Sequence, residues 1–315
     1  MDKIISVILP TYNSAKTIEK AINSVINQTF INWELLIIDN YSNDGTEQVI
    51  NKFIKDRITL YKINNNNIIA KSRNYGINKA KGKYIAFLDS DDWWFPNKLQ
   101  DCYNFINKSD CIAVCHGEKW LYENRSFKNV YYGPKNKSDY SSLLYNGNCI
   151  STSAVVIKKE ALLSVNCFSE KLSFISAEDY DLWLKLADFQ LEFEFYKKVL
   201  GVFNIHEESS SSSEPLKHTN AILSVVQNHY DKNQKNLSIR MKKKKRFSEI
   251  WRRTGKKIHW QGKYKDALFY YYNAVKLYPF SIKLITLIFS LLIPIRIIHL
   301  FNKVKFSKYN NENLS

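Results

Sequence analysis

Tyr84-Ile85-Ala86-Phe87-Leu88-Asp89-Ser90-Asp91-Asp92 is a continuous apolar run that ends in three carboxylates. A short apolar run without alternation is the pattern of a strand buried on both faces. Open α/β sheets collect their ligands at the carboxyl ends of such strands. Three acids packed this closely repel one another, and a divalent cation carrying a phosphate is their least costly companion. An Asp-x-Asp triplet alone carries limited weight, because Asp91 or Asp92 could instead cap the helix that begins near Pro96. The surrounding pattern has to decide.

Upstream, the runs 4–9, 35–38 and 58–63 are equally short and rich in Ile, Leu and Val. Between them lie segments of helical spacing: Ile18, Ala21, Ile22, Val25 and Ile26 in the first, then 46–55 and 70–79. This βαβαβαβ order predicts a parallel sheet with right-handed crossovers, flanked by helices. Downstream, the sequence predicts a helix over 96–107, a strand over 112–116 and an irregular insertion over 117–147. A strand (154–157), helices from Lys159 and over 178–187, and two strands (191–196 and 199–205) follow. The polar loop 206–214 and a helix over 216–230 complete a first domain, 1–230.

Charge separates the rest of the chain from this domain. The net charge is +16, yet residues 1–230 carry 26 Lys+Arg against 26 Asp+Glu, and residues 231–315 carry 20 against 4. A basic surface confined to a tail argues against a nucleic-acid partner for the domain. The tail, 231–315, reads as a basic helical extension. It contains the run 241–246, a Gly262-Lys-Tyr264-Lys-Asp-Ala267 segment like one half of a tetratricopeptide motif, and the apolar stretch 282–300. The longest uncharged part of that stretch, 284–295, is short of the ~20 residues a spanning helix needs. Leu284 to Ile298, with Lys242 to Arg246, is therefore expected to lie on an anionic membrane surface. The five cysteines form no CxxC pair and read as reduced core thiols, and the amino terminus enters a strand with no signal-peptide pattern. Both point to the cytoplasm.

Several residues are placed to do chemistry. The loop Leu9-Pro10-Thr11-Tyr12-Asn13 ends the first strand and suits a nucleotide contact through backbone groups and the Thr11 or Asn13 side chain. Asp39 ends the second strand, where a carboxylate can accept a base N–H. Arg73 opens the helix before the acid cluster and can reach a phosphate or base. Asp89 and Asp91 alternate on an extended backbone, so one can serve a ribose hydroxyl and the other a metal. Glu178-Asp179-Tyr180-Asp181-Leu182-Trp183 puts acids at a helix N-terminus, where the dipole stabilises them. Beside aromatics they also offer a general base, Asp179, with Glu178 and Trp183 as an acceptor and sugar platform.

Together these segments resemble the inverting glycosyltransferases of family 2, which have the GT-A fold. The resemblance covers about residues 4–210. It rests on Ser6 to Asn13, Asp39, Ala70 to Gly76, Phe87 to Asp92 and Glu178 to Trp183. It implies that Asp39 and Arg73 hold the nucleotide, that Asp91 lies closest to Mg2+ or Mn2+, and that Asp179 is the base. It also implies a metal- or diphosphate-binding role for His206. Asn40 stands where many members have a second acid, and no Gln-x-x-Arg-Trp motif follows the Glu-Asp pair, so a single sugar addition fits better than processive polymerisation. The implied partners are a nucleotide-sugar donor, with uracil the expected base, and a glycan or polyprenyl-linked acceptor. The expected setting is bacterial surface polysaccharide synthesis, such as O-antigen, capsule or lipooligosaccharide, on the inner face of the plasma membrane. Asp92 is left to cap the Pro96 helix.

Two other function classes compete. A nucleotidyltransferase would be expected to carry a glycine-rich phosphate loop after the first strand, and Pro10-Thr11-Tyr12-Asn13-Ser14 has none. An inactive basic module binding membrane or nucleic acid would not retain the whole set of acids.

Overall fold

The computed structural model describes residues 4–109, 111–122, 126–205, 214–232 and 237–290. Contacts along the chain divide it into two units, Met1–His229 and Tyr230–Ser315.

The first unit is built on a mixed nine-stranded sheet. Its parallel half consists of β1 (Ile5–Thr11), β2 (Trp33–Asp39), β3 (Ile58–Lys62) and β4 (Tyr84–Phe87). The order is β3-β2-β1-β4, with α1 (Ile18–Ile26), α2 (Thr46–Asn51) and α3 (Ile69–Lys79) as crossovers. Every residue of β1, β2 and β4 is buried, as strands covered on both faces must be. The helix α1 turns Ile18, Ala21, Ile22 and Val25 inward, as its spacing predicts, and leaves Ile26 of the expected stripe exposed. Burying Glu34 would be costly without partners. Its carboxylate accepts from Ser6 Oγ and from the Lys81 backbone, both at 2.6 Å, which joins β2 to β1 and to the approach of β4.

The sheet continues past β4 through β8 (Val155–Lys158), β6 (Ala113–Tyr122), β9 (Phe193–Ile205) and β5 (Trp93–Trp94), with β7 (Phe127–Val130) paired to β6. Here β8 runs antiparallel to β4 and to β6, whereas β6 and β9 are parallel. The remaining helices of this half are α4 (Lys98–Ser109), α5 (Tyr140–Asn146), α6 (Lys159–Ser164) and α7 (Glu178–Asp188), and α8 (Pro215–Lys232) follows β9.

Three expectations change. Among the described residues of the span 117–147 there is regular structure: β6 runs to Tyr122, and β7 and α5 lie beyond it. Its polarity hid this, because Glu118 is buried while β7 is largely exposed. The two strands expected over 191–205 are one strand, β9. The Lys197-Lys198 pair that looked like a break is an exposed stretch opposite the register shift at Gly117. Asp92 does not cap α4: it is buried, and its Oδ1 accepts from the Asn204 backbone at 2.9 Å. All five cysteines are free, and only Cys149 among them is partly exposed.

The second unit contains α9 (Leu237–Trp260), α10 (Tyr264–Leu277) and α11 (Ile282–Ser290). Ile258, Ala267, Tyr270, Tyr271, Ala274 and Leu284 form its core. Gly255 lets α10 approach, since a Cβ there would lie 2.7 Å from the Tyr271 ring. Leu284, expected on a membrane, is instead in this core, and Phe280, Ile282, Ile285 and Phe289 are exposed. Among the described residues no helix is long and apolar enough to cross a membrane. Residues 291–298 of the expected anchor lie outside the described residues.

Candidate active site

The carboxyl ends of β1, β2 and β4 meet at one edge of the sheet. Thr11 and Asp39 are paired in register, and Leu88 N donates to Ile8 O at 3.0 Å, which brings the acids after β4 beside the end of β1. The connecting loops interlock. Asn13 N donates to Ser42 Oγ at 2.9 Å, Asn43 N to Asn13 Oδ1 at 3.0 Å, and Ser14 Oγ lies 2.8 Å from Ser90 Oγ. Asn13 and Tyr41 adopt left-handed φ of 48° and 53°, and Tyr12 and Tyr41 stand exposed.

In this frame Asp39 is fully buried and its carboxylate accepts from the backbone and hydroxyl of Ser42. Pro10 and Thr11 are buried, and Thr11 Oγ1 has no hydrogen-bond partner among the described residues. A buried hydroxyl of that kind is where a ligand oxygen or amide would be accommodated.

The second half of the site is joined to the first by Arg73. Its Nη2 donates to Asp89 Oδ1 at 2.8 Å and its Nη1 to Glu178 Oε1 at 2.6 Å. The helix α7 starts without a side-chain cap, and Glu178, Asp179 and Asp181 fill its first turn. Asp179 Oδ1 accepts from the Tyr180 backbone at 2.7 Å, while Asn148 Nδ2 and Thr152 Oγ1 approach Oδ2 at 3.5 and 3.4 Å. Burial, then the neighbouring Glu178 charge, pushes the Asp179 carboxyl up to about 7, and Arg73 opposes that rise. Asp181 serves structure: its Oδ1 lies 3.0 Å from Nε2 of the buried His229.

Trp183, expected to offer its face to a sugar, is fully buried and meets the Phe193 ring edge-on at 5.4 Å. The helix α7 is buried nearly all round, so its aromatic residues belong to the core. His206 lies outside the described residues.

A buried group beneath the acids was not anticipated. Lys98 is fully buried with its Nζ 3.4 Å from the Trp94 ring centroid, and burial pushes it down to about 8. Burial raises Glu118 to about 7, although Tyr132 Oη donates to it at 2.5 Å. Burial, with Asp91 and Glu118 nearby, holds the Asp92 carboxyl well above the usual range. The only signal for Glu118 was a polar side chain at an inward position of β6, which required the strand to be recognised first.

Asp89 and Asp91 are each partly buried after β4. Among the described residues no three His, Cys, Asp or Glu side chains form a metal cage. The Asp91 carboxylate offers oxygen donors of the kind that suit a hard divalent cation whose shell substrate phosphates complete, so it fits Mg2+ or Mn2+.

Known proteins resemble this chain in sequence and fold. The model of glycosyl transferase family 2 matches residues 6–164. The Escherichia coli UDP-Glc:alpha-D-GlcNAc-diphosphoundecaprenol beta-1,3-glucosyltransferase WfgD is 37% identical over 185 residues, covering 59% of this chain and 70% of that protein. The putative teichuronic acid biosynthesis glycosyltransferase TuaG of Bacillus subtilis is 29% identical, covering 58% and 71%. Among solved structures, S. aureus TarS 1-349 with UDP-GlcNAc superimposes with a TM-score of 0.60 at 21% identity, covering 86% of this chain and 81% of that one. A mannosyltransferase of Pyrobaculum calidifontis, in complex with GDP-Man and Mn2+, superimposes at 0.59 and 15% identity, covering 93% and 81%. The chain spans 54% of a longer TarS structure. At these identities the structural likenesses show the fold, which is GT-A-like. The family model spans the sheet edge that carries Thr11, Asp39, Asp89 and Asp91 together with Arg73 of α3, and the chain belongs to glycosyl transferase family 2.

Proposed function

We propose that this glycosyltransferase moves one sugar, with inversion and with a divalent metal, from a UDP-sugar to a hydroxyl of a polyprenyl-diphosphate-linked acceptor in bacterial surface polysaccharide synthesis. The observation that carries the reading is the Asp89–Arg73–Glu178 ion-pair chain, which sets an acid cluster at the end of β4 beside Asp179. The donor and acceptor classes follow those named for the E. coli relative WfgD.

Thr11, Asn13 and Asp39 hold the nucleoside, with Pro10 and Tyr12 shaping the same loop, and Asp89 holds the ribose. Asp91, joined by His206, would hold the metal, which when bound neutralises charge on the departing diphosphate. Asp179 accepts the proton of the acceptor hydroxyl. That oxygen forms a bond to C1 from the face opposite the leaving group. The C1–O bond to the diphosphate breaks and its electron pair leaves with the nucleotide, so one displacement inverts C1.

The second unit is assigned to the anionic inner surface of the membrane, where a polyprenyl-linked acceptor resides. Support comes from the +16 balance carried beyond residue 230 and from exposed Phe280, Ile282 and Phe289.

The test is a panel of UDP- and GDP-sugars with Mn2+ and a synthetic N-acetylglucosamine diphospholipid. The expected result is nucleotide release from a UDP-sugar that stops with EDTA and returns with Mn2+. Release from no donor, or release indifferent to EDTA, would contradict the reading.

A further inference from the structure

Arg73 lies on α3, yet it is only 4% exposed and points into the protein. The two ends of its guanidinium fork hold carboxylates from distant parts of the chain, Asp89 after β4 and Glu178 at the start of α7. The Phe168 ring lies 5.4 Å from the guanidinium carbon. The next residue fixes the same contact, since Asn74 Nδ2 donates to Phe168 O at 3.0 Å and Asn74 Oδ1 accepts from Phe168 N at 3.0 Å. A guanidinium enclosed in this way, with both fork ends engaged, presents little surface to a diphosphate.

We propose that Arg73 is a positioning residue, with Glu178 as its partner, which clamps the donor end of the site at Asp89 to the helix that presents Asp179. The proposal rests on Asp179 being the base. It moves Arg73 from nucleotide binding, and Glu178 from acceptor binding, to setting the separation between leaving group and base.

Electrostatics supports the same assignment. The charged groups acting on Asp179 are Glu178, Asp89 and Arg73, and its polar neighbours are Asn148, Thr152 and the Tyr180 backbone. Arg73 is the one positive charge in that set, and it opposes the upward push from burial and from both acids. Without it, Asp179 would hold its proton to higher pH and be a poorer base at neutrality.

The experiment compares Arg73→Met and Arg73→Lys with wild type in the full chain. Turnover is read with whichever panel donor the wild type uses fastest, and affinity by calorimetric titration with UDP and Mn2+. A misplaced base is expected to lower kcat by about 100-fold. UDP affinity should stay within about threefold, because a residue engaged with Asp89 and Glu178 makes no contact of its own with the nucleotide. The acid limb of the pH–rate profile should move upward by about one unit in Arg73→Met. Arg73→Lys keeps the charge but serves one carboxylate at a time, so it should restore the limb more fully than kcat. Arg73→Met leaves buried acids uncompensated, so Arg73→Met/Glu178→Met provides a folded second variant if the single one fails. UDP affinity falling as far as kcat/KM, with kcat and the limb unmoved, would overturn the proposal and make Arg73 a donor ligand. Failure of the function itself would appear earlier, as wild type that turns over no donor on the panel.

Discussion

Asp179 holds its proton to about pH 7 because burial and the adjacent Glu178 outweigh Arg73. A base must be deprotonated to act, so kcat/KM should rise with pH and level off above about 7, as a pH–rate profile will show. The same shift has a consequence for stability. A carboxyl with a raised folded pKa stabilises the protein below its unfolded pKa and loses that contribution as pH rises through the folded value. Asp179→Asn should therefore unfold at higher temperature than wild type at pH 8 and gain less at pH 4, as measured by circular dichroism. An equal difference at both pH values would place the titration elsewhere. The acids themselves were legible as residue types after a buried strand or at a helix start. Their pairing through Arg73 was not, because residues 73, 89 and 178 are distant in sequence and only the folded sheet brings them together.

The elements set these distances through close packing. A Cβ on Gly76 would lie 2.7 Å from Ile8 Cγ2 and 3.0 Å from Ile38 Cδ1, so α3 sits tightly on β1 and β2. Ile8 and Ile38 are fully buried and have little room to yield. Overpacking of about 1–3 kcal/mol should exceed the ~1 kcal/mol that alanine adds to a helix. Gly76→Ala should lower the thermal midpoint and, by shifting α3, lower kcat as well. An unchanged midpoint would mean that α3 is not held as described. In the parallel half, β1, β2 and β4 were readable because strands buried on both faces appear as nearly uninterrupted apolar runs, whereas β3 is a half-exposed edge strand. The other half was not: β6 carries His116 and Glu118 inward, β5 has only two residues, and the lysine pair in β9 resembled a turn. Trp183 was misjudged for the converse reason, since an aromatic beside acids resembles a sugar platform until the whole helix proves buried.

At the scale of the whole molecule, a first unit with balanced charge carries the chemistry and a second holds the positive excess. The charge balance of the sequence changes at that division, and within the expected anchor Leu284 faces the helical core while Ile285 and Phe289 are exposed; exposed Phe280 and Ile282 lie just before it. The full chain should co-sediment with phosphatidylglycerol vesicles and be released by salt. Changing Phe280, Ile282 and Phe289 to Ser should weaken binding by about tenfold or more. Equal binding by both proteins would end the membrane assignment. In the first unit, Asp179 is proposed as the base of a sugar transfer whose donor is held by separate residues. That assignment is tested most directly by Asp179→Asn, measured for sugar transfer and, by calorimetry, for binding of UDP with Mn2+. Transfer should fall by about 100-fold or more with UDP affinity near wild type. Transfer retained at the wild-type rate by a variant that binds UDP normally would contradict it.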